Sequence, residues 1–152
     1  MSGLNLPFFE LKTKISDSKT LVYDRLRKQY VRLTPEEYVR QHFVNFLIEH
    51  RNFPEGLLAN EVEIALGNLK KRCDTVVYNR MLVPIAIIEY KSPKTSISQT
   101  VFDQIARYNM TLKVPWLMIS NGLQHFCCKL DIENGEYQFE KDIPYYADLC
   151  IF

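Results

Sequence analysis

The sequence contains little glycine and proline, with 5 Gly and 7 Pro among 152 residues. This composition excludes a collagen-like chain and leaves room only for short linkers. The chain also lacks any apolar run near the roughly 18 residues that a membrane-spanning helix needs. Its first residues show neither the basic segment nor the apolar segment of a secretory signal peptide. We therefore expect a soluble, cytoplasmic protein with no membrane partner.

No charge of one sign dominates, because 19 Lys and Arg residues oppose 18 Asp and Glu residues, for a formal net charge of +1. A polybasic coat for nucleic acid is therefore excluded, although a local basic cleft is not. The 4 cysteines form no C-x-x-C pair and show no zinc-site spacing with the 3 histidines. We expect the cysteines to be reduced and mostly buried.

The length and an ordinary hydrophobic content of 47% favour one globular domain over residues 1–152. Loosely alternating residues predict short strands at 7–15, 21–24 and 29–33, which form a small antiparallel N-terminal sheet. We treat residues 1–33 as a strand extension and 34–145 as the core. The core begins with a helix predicted over 35–50, because Thr34 and Glu37 have capping-box spacing and Pro35 suits the first helical position.

The rest of the core alternates strands with one further helix. A helix at 98–112 follows a mostly apolar strand, and such a strand is typical of the covered centre of a sheet. The connection through this helix predicts a parallel strand pair within a mixed sheet. The fold class is therefore α/β, a mixed β-sheet with helices flanking both faces. The strands are predicted at 60–66, 72–78, 84–91, 114–120, 124–130 and 137–139.

The spacing of Asp74, Glu89 and Lys91 indicates a candidate catalytic site. Side chains alternate along a strand, so Glu89 and Lys91 lie on one face at the polar end of the apolar strand. Antiparallel pairing across the short turn brings Asp74 within reach of Glu89. Two carboxylates on adjacent strands can hold Mg²⁺, and a neighbouring lysine can orient or deprotonate water for phosphodiester hydrolysis. A strand-end salt bridge is the alternative interpretation of the same residues.

These residues resemble the PD-(D/E)XK nuclease superfamily, through Arg72-Cys73-Asp74 followed by Glu89-Tyr90-Lys91. The segment Phe102 to Asn109 resembles the Q-x-x-x-Y helix of RecB-like nucleases. Residues 115–126 are similar to the strand and turn of the N-terminal nuclease domain of type I restriction enzyme R (HsdR) subunits. Residues 33–41 look like the opening helix of that family. The resemblance covers about residues 20–145 and implies a restriction-endonuclease-like core.

The resemblance implies a role for each matching residue. Asp74 and Glu89 would bind Mg²⁺, with Mn²⁺ as a substitute, and the Tyr90 carbonyl would be a further ligand. Lys91 would act on the attacking water. A glutamate of the first helix would complete the site. The resemblance assigns this role to Glu37, which precedes Tyr38-Val39-Arg40 as in the family, whereas helical geometry slightly favours Glu36. A purely capping role for Glu37 is the alternative.

Gln104 and Tyr108 are four residues apart and therefore share one helix face. The resemblance implies that this face lies over the active site and contacts DNA or the metal-binding residues. The alternative is the polar edge of a core helix. Weaker candidates for phosphate contacts are the run Lys70-Lys71-Arg72, for which a solvated turn is the alternative, and the basic residues Lys94, Arg107 and Lys113. Glu61 is a further candidate carboxylate, with an exposed strand position as the default.

The resemblance predicts a Mg²⁺-dependent DNA endonuclease. The chain departs from the pattern at Cys73, which stands where the superfamily signature has proline. It also has no G-x-x-x-x-G-K-[ST] phosphate-binding loop, although type I R subunits carry a DNA-translocating motor. Partners would be DNA and the motor, methyltransferase and specificity subunits of a restriction system. The alternatives are a non-catalytic DNA- or protein-binding module of the same fold and a repair or junction nuclease.

Overall fold

The computed structural model describes residues 3–150; Met1, Ser2, Ile151 and Phe152 lie outside the description. A short 3-10 helix occupies Glu55–Leu57 between the first long helix and the main sheet. Three helices are described: α1 Pro35–His50, α2 Gln99–Thr111 and α3 Tyr146–Leu149. The strands are β1 Thr13–Ser16, β2 Lys19–Asp24, β3 Gln29–Arg32, β4 Leu58–Leu66, β5 Leu69–Tyr78, β6 Pro84–Tyr90, β7 Trp116–Ser120, β8 His125–Asp131 and β9 Glu136–Glu140.

The predicted N-terminal antiparallel sheet is present, with strand order β1-β2-β3. The prediction of a strand over 7–15 is wrong at its start, because regular pairing begins only at Thr13. Pro7 has no amide hydrogen to contribute to a ladder. In the segment before β1, Lys12 O accepts a backbone hydrogen bond of 2.8 Å from Tyr23 N of β2. Asn60 donates to the buried Asp24 at 2.9 Å, which ties this sheet to β4.

The main sheet has the order β4-β5-β6-β7-β8-β9. Only the β6–β7 pair is parallel among the described strands, which confirms the predicted crossover through α2. Strand β6 is buried at every position after Pro84. Its position at the centre of the sheet explains the nearly continuous apolar sequence, because helices cover both of its faces.

The predicted α/β class with helices on both faces is confirmed. Helix α1 packs Val39, Phe43 and Leu47 against one face of the sheet, and α2 packs Phe102 and Ala106 against Leu117 and Ile119 of the other. The helix bounds match the prediction closely, since Thr34 Oγ1 accepts the Glu37 amide at 3.1 Å and Ser98 caps α2.

The four cysteines are free thiols, as predicted. Cys73, Cys127 and Cys128 are buried, whereas Cys150 is half-buried. Within residues 3–150, no helix combines the length and apolarity that crossing a membrane requires. The division of the chain at residues 33 and 34 stays a prediction.

Candidate active site

A cleft of about 500 Å³ opens between the N-terminus of α1, the middle of β4 and β5, and the end of β6. Its lining includes both carboxylates and cations. Four of the predicted site residues lie here, together with the backbone of Tyr90. The lining residues are Thr34, Glu36, Glu37, Arg40, Glu61, Lys71, Asp74, Glu89, Tyr90, Lys91 and Ile105.

Asp74 occupies the point where β5 and β6 separate. The last paired residues of these two strands on this side are Thr75 of β5 and Ile88 of β6. Beyond this pair, the Tyr90 amide donates to Oδ2 of Asp74 at 2.9 Å, so that a side chain continues the connection between the strands. Burial raises the pKa of Asp74 above its ordinary value, although the Tyr90 hydrogen bond and the nearby Arg40 oppose this shift.

Glu89 follows four buried apolar residues of β6 and is itself only 8% exposed. Its Oε1 forms an ion pair with Nζ of Lys71 from β5. A carboxylate this deep needs a cationic partner, because removing an isolated charge from water is costly. At the end of β6, the Glu89 carboxylate therefore lines the cleft as an ion pair with the Lys71 ammonium.

Lys91 directly follows β6, and its amide donates to Ser120 O of β7 at 2.9 Å. This bond fixes the backbone at the point where the side chain enters the cleft. The neighbouring Tyr90 ring is buried, and its hydroxyl donates to Thr75 Oγ1 at 2.9 Å. The Tyr90 side chain is therefore committed to the interior, and only its backbone can serve the cleft.

Glu37 is buried, whereas Glu36 is exposed at the rim of the cleft. The Glu37 carboxylate accepts hydrogen bonds from Arg40 at 2.6 and 2.9 Å and from Gln41 at 2.9 Å. Arg27, from the β2–β3 turn, adds a contact of 2.8 Å. Burial alone would raise the pKa of Glu37, but these donors hold it below its ordinary value. Both carboxylate oxygens are thus already engaged.

Arg40 connects the helix to the strands around the cleft. Its Nη1 donates to the Asp74 carbonyl oxygen at 2.8 Å and to Glu61 Oε2 at 3.0 Å. Glu61 lies within β4 with a positive φ of 58°, which is rare for a residue with a side chain. This strained backbone turns an acidic side chain of β4 towards Arg40.

Gln104 and Tyr108 are exposed on α2 and do not line the cleft, where Ile105 is the α2 contribution. The Tyr108 hydroxyl donates to Lys70 O at 2.8 Å and so ties α2 to β5. Their predicted roles over the active site stay predictions.

Arg40 and Lys71 are the cleft residues whose importance the sequence did not reveal. Arg40 lies three residues after Glu37, which is the spacing of a helical ion pair, and this signal could have indicated it. The sequence indicates Lys71 only as a candidate for phosphate binding. Its pairing with Glu89 requires knowledge of how far β5 extends, and β5 begins at Leu69.

Asp74, Glu89 and the Tyr90 backbone offer oxygen atoms, the donor type that Mg²⁺ prefers. Within residues 3–150, no group of three or more His, Cys, Asp or Glu side chains is arranged to hold a metal. Mg²⁺ nevertheless commonly uses one or two carboxylates and completes its shell with water and substrate phosphates. The ion pair of Glu89 with Lys71 shows that a cation is held at this carboxylate.

The fold and cleft define a mixed α/β domain with two carboxylates and a lysine where the pairing of two adjacent strands ends. The family model for the type I restriction enzyme R protein N terminus matches residues 35–144, so the chain belongs to that family. A fragment structure of a putative HsdR subunit of a type I restriction enzyme from Vibrio vulnificus YJ016 has a similar fold, with a TM-score of 0.55 and 21% identity. The match covers 77% of this chain and 24% of that one. No curated protein matches the chain.

Proposed function

We propose that the chain is a Mg²⁺-dependent DNA endonuclease domain that hydrolyses phosphodiester bonds, with Mn²⁺ able to replace Mg²⁺. The observation that carries the proposal is that Asp74, Glu89 and Lys91 line one cleft of a domain in the R-protein family. The fit of their oxygen and nitrogen atoms to phosphodiester chemistry supports it further.

In this proposal, Asp74 and Glu89 hold Mg²⁺ through their carboxylates, and Tyr90 contributes its carbonyl oxygen. Bound there, Mg²⁺ would neutralise phosphate charge and lower the pKa of water. Lys91 Nζ would donate a hydrogen bond that orients the attacking water. Arg40 positions Asp74 by holding its carbonyl oxygen at 2.8 Å. Glu37 supports Arg40, and we infer a structural role for its fully engaged carboxylate.

The chain matches 24% of the length of the Vibrio chain, so its place in a larger enzyme is also a proposal. We infer that it works within a type I restriction system. DNA would be delivered by a motor, and sequence choice would belong to the specificity and methyltransferase subunits. Gln104 and Tyr108 would contact DNA or the metal-binding residues only once DNA is in place.

A second candidate is a DNA- or protein-binding module without catalysis. The ion pair between Lys71 and Glu89 favours it, because the ammonium already neutralises one of the two proposed metal ligands. The two candidates differ in what happens when Mg²⁺ is added, since only the endonuclease gains an activity.

The test is nicking of supercoiled plasmid by the purified chain with Mg²⁺, then with Mn²⁺. Asp74→Asn and Lys91→Gln are compared with Glu63→Gln and Lys129→Gln, which alter exposed residues outside the cleft. We expect cleavage by the wild type and both controls, and a reduction of at least about 100-fold in the two cleft variants. Equal cleavage by all five proteins would refute the proposed site. Metal-independent DNA binding without cleavage in either metal would favour the binding module.

A further inference from the structure

The N-terminal sheet has one strongly basic surface. Antiparallel neighbours share a face, so the pairs Tyr23–Tyr30, Leu21–Arg32 and Lys14–Leu21 place their side chains together. Lys12 and Lys14 extend over the two tyrosine rings, at 5.2 and 4.1 Å from the ring centroids. We call this surface the basic face and define it by Lys12, Lys14, Lys19, Tyr23, Tyr30 and Arg32.

The charge of the basic face is not neutralised by its own strands. Its four cations are exposed, and within residues 3–150 none has a carboxylate within ion-pair distance. The acidic residues of this stretch lie elsewhere: Glu10 precedes β1, Asp17 is in the β1–β2 turn, and Asp24 is buried. A nearly neutral chain therefore concentrates positive charge on one small sheet.

The basic face is joined rigidly to the cleft. Arg27, in the β2–β3 turn, contacts both Asp24 and Glu37. Strand β3 ends at Arg32, and Thr34, two residues later, caps α1 and lines the cleft. Arg32 therefore lies two residues from a residue of the cleft, and the three lysines continue the same positively charged surface across the sheet.

We propose that the basic face binds the DNA backbone beside the phosphodiester that enters the cleft. The inference rests on the proposed function, because the nuclease reaction makes DNA the polyanion. Lys12 and Lys14 lie two residues apart and therefore about 7 Å along the chain. The Nζ atoms of Lys12 and Lys14 lie over the rings of Tyr23 and Tyr30, which holds the two ammonium groups on the exposed surface of the sheet, where they can also contact phosphates. The family match begins at residue 35, so it covers none of this face.

The test measures binding of a duplex oligonucleotide of arbitrary sequence in EDTA, where no cleavage is needed, at several salt concentrations. The test variant is Lys12→Gln/Lys14→Gln. The matched control is Lys129→Gln/Lys141→Gln, which removes the same charge near the opposite edge of the main sheet. Lys129 also stands over an aromatic ring, that of Trp116 at 5.7 Å, so a general cation–π effect is controlled.

We expect the slope of log affinity against log salt to fall by about two in the test variant, roughly one for each phosphate that the protein no longer neutralises. The control should keep the wild-type slope and affinity. Adding Lys19→Gln and Arg32→Gln should weaken binding by about tenfold or more at low salt. Equal binding by the test and control variants, or no binding by the wild type, would overturn the inference. Because the assay needs neither metal nor Asp74, a failure of the nuclease proposal alone would leave this result unchanged.

Discussion

The Tyr90 amide donates a 2.9 Å hydrogen bond to Oδ2 of Asp74, across the gap where β5 and β6 separate. One carboxylate oxygen is therefore committed to holding the strands together, while Oδ1 stays available to the cleft. This bond couples the fold to the site, because the side chain that the proposal assigns to Mg²⁺ also connects two strands.

Asp74→Asn should stabilise the metal-free protein at pH 7, because the amide oxygen can still accept the Tyr90 bond and no charge is buried. Burial raises the pKa of Asp74, so the folded state binds its proton more tightly than the unfolded state. The buried charge therefore lowers the free energy of unfolding by its full amount above the raised pKa. This destabilisation disappears below the ordinary pKa of 3.8. Urea unfolding in EDTA at pH 7 and at about pH 3 measures this difference. A destabilised Asp74→Asn variant at pH 7 would contradict it.

Glu37→Gln should lower the free energy of unfolding by about 3 kcal/mol at pH 7, because it removes the closer of the two carboxylates that pair with the buried Arg40 and leaves only the partly exposed Glu61. The exposed neighbour Glu36→Gln is the matched control and should change stability by less than about 0.5 kcal/mol.

The same pair of proteins has a predicted pH dependence. The pKa of Glu37 is lowered, so its stabilising effect is complete above its ordinary pKa of 4.5 and disappears as the pH falls through the lowered value. Urea unfolding between about pH 7 and pH 3 should therefore show the Glu37→Gln deficit shrinking in acid. A deficit that stays constant would show that the charge is not its cause.

Lys71→Gln should raise the affinity for Mg²⁺, because the Lys71 ammonium competes for the Glu89 carboxylate. A charge-assisted hydrogen bond contributes about 1.5–3 kcal/mol, so a gain of about tenfold or more is expected. Lys70→Gln is the control, since its side chain is exposed and does not line the cleft. Calorimetric titration with Mg²⁺ or Mn²⁺ in the absence of DNA gives the affinities. Unchanged affinity would mean that the metal does not use Glu89.

Tyr108→Phe should cost about 1 kcal/mol of stability, because it removes the hydrogen bond to Lys70 O. Gln104→Ala should change stability by less than about 0.5 kcal/mol, since this side chain is exposed. If both residues contact DNA as proposed, both variants should cleave plasmid more slowly, but only Tyr108→Phe should be less stable. Wild-type cleavage by Gln104→Ala would limit this helix face to a structural role.

Cys150 should react first with thiol reagents, because it is the one described cysteine that is not fully buried. Burial raises the pKa of Cys128 to about 12 and also raises that of Cys127. Almost no thiolate is then present at pH 8 in the folded protein. Mass spectrometry after iodoacetamide treatment, with and without urea, would test this order. Rapid labelling of Cys127 or Cys128 in the native protein would contradict it.

Local signals in the sequence were sufficient for much of the fold. Thr34, Pro35 and Glu37 together predicted where α1 begins, and the apolar run from Pro84 predicted the central strand. These features depend on residues near one another in the chain, which is why they can be read without the tertiary structure. The start of β1 was missed because strand pairing depends on a partner as well as on the alternation of residues.

The candidate site was predicted only in part. The sequence singled out Asp74, Glu89 and Lys91, because charges at the end of an apolar strand need an explanation. The arguments for Glu36 and for Glu37 conflicted at the level of the sequence. The structure distinguishes them by burial and by the engagement of Glu37 with Arg27 and Arg40.

The sequence by itself determined the fold class, the order of most elements and the identity of the residues at the strand ends, because periodicity and capping act over a few residues. Only the tertiary structure decided which charges meet. Lys71 pairs with Glu89 across 18 positions, and Arg40 reaches the Asp74 carbonyl oxygen across 34. Such contacts depend on the register and separation of distant strands. The same packing buries a carboxylate or leaves it in water, and so sets its charge state and its partners.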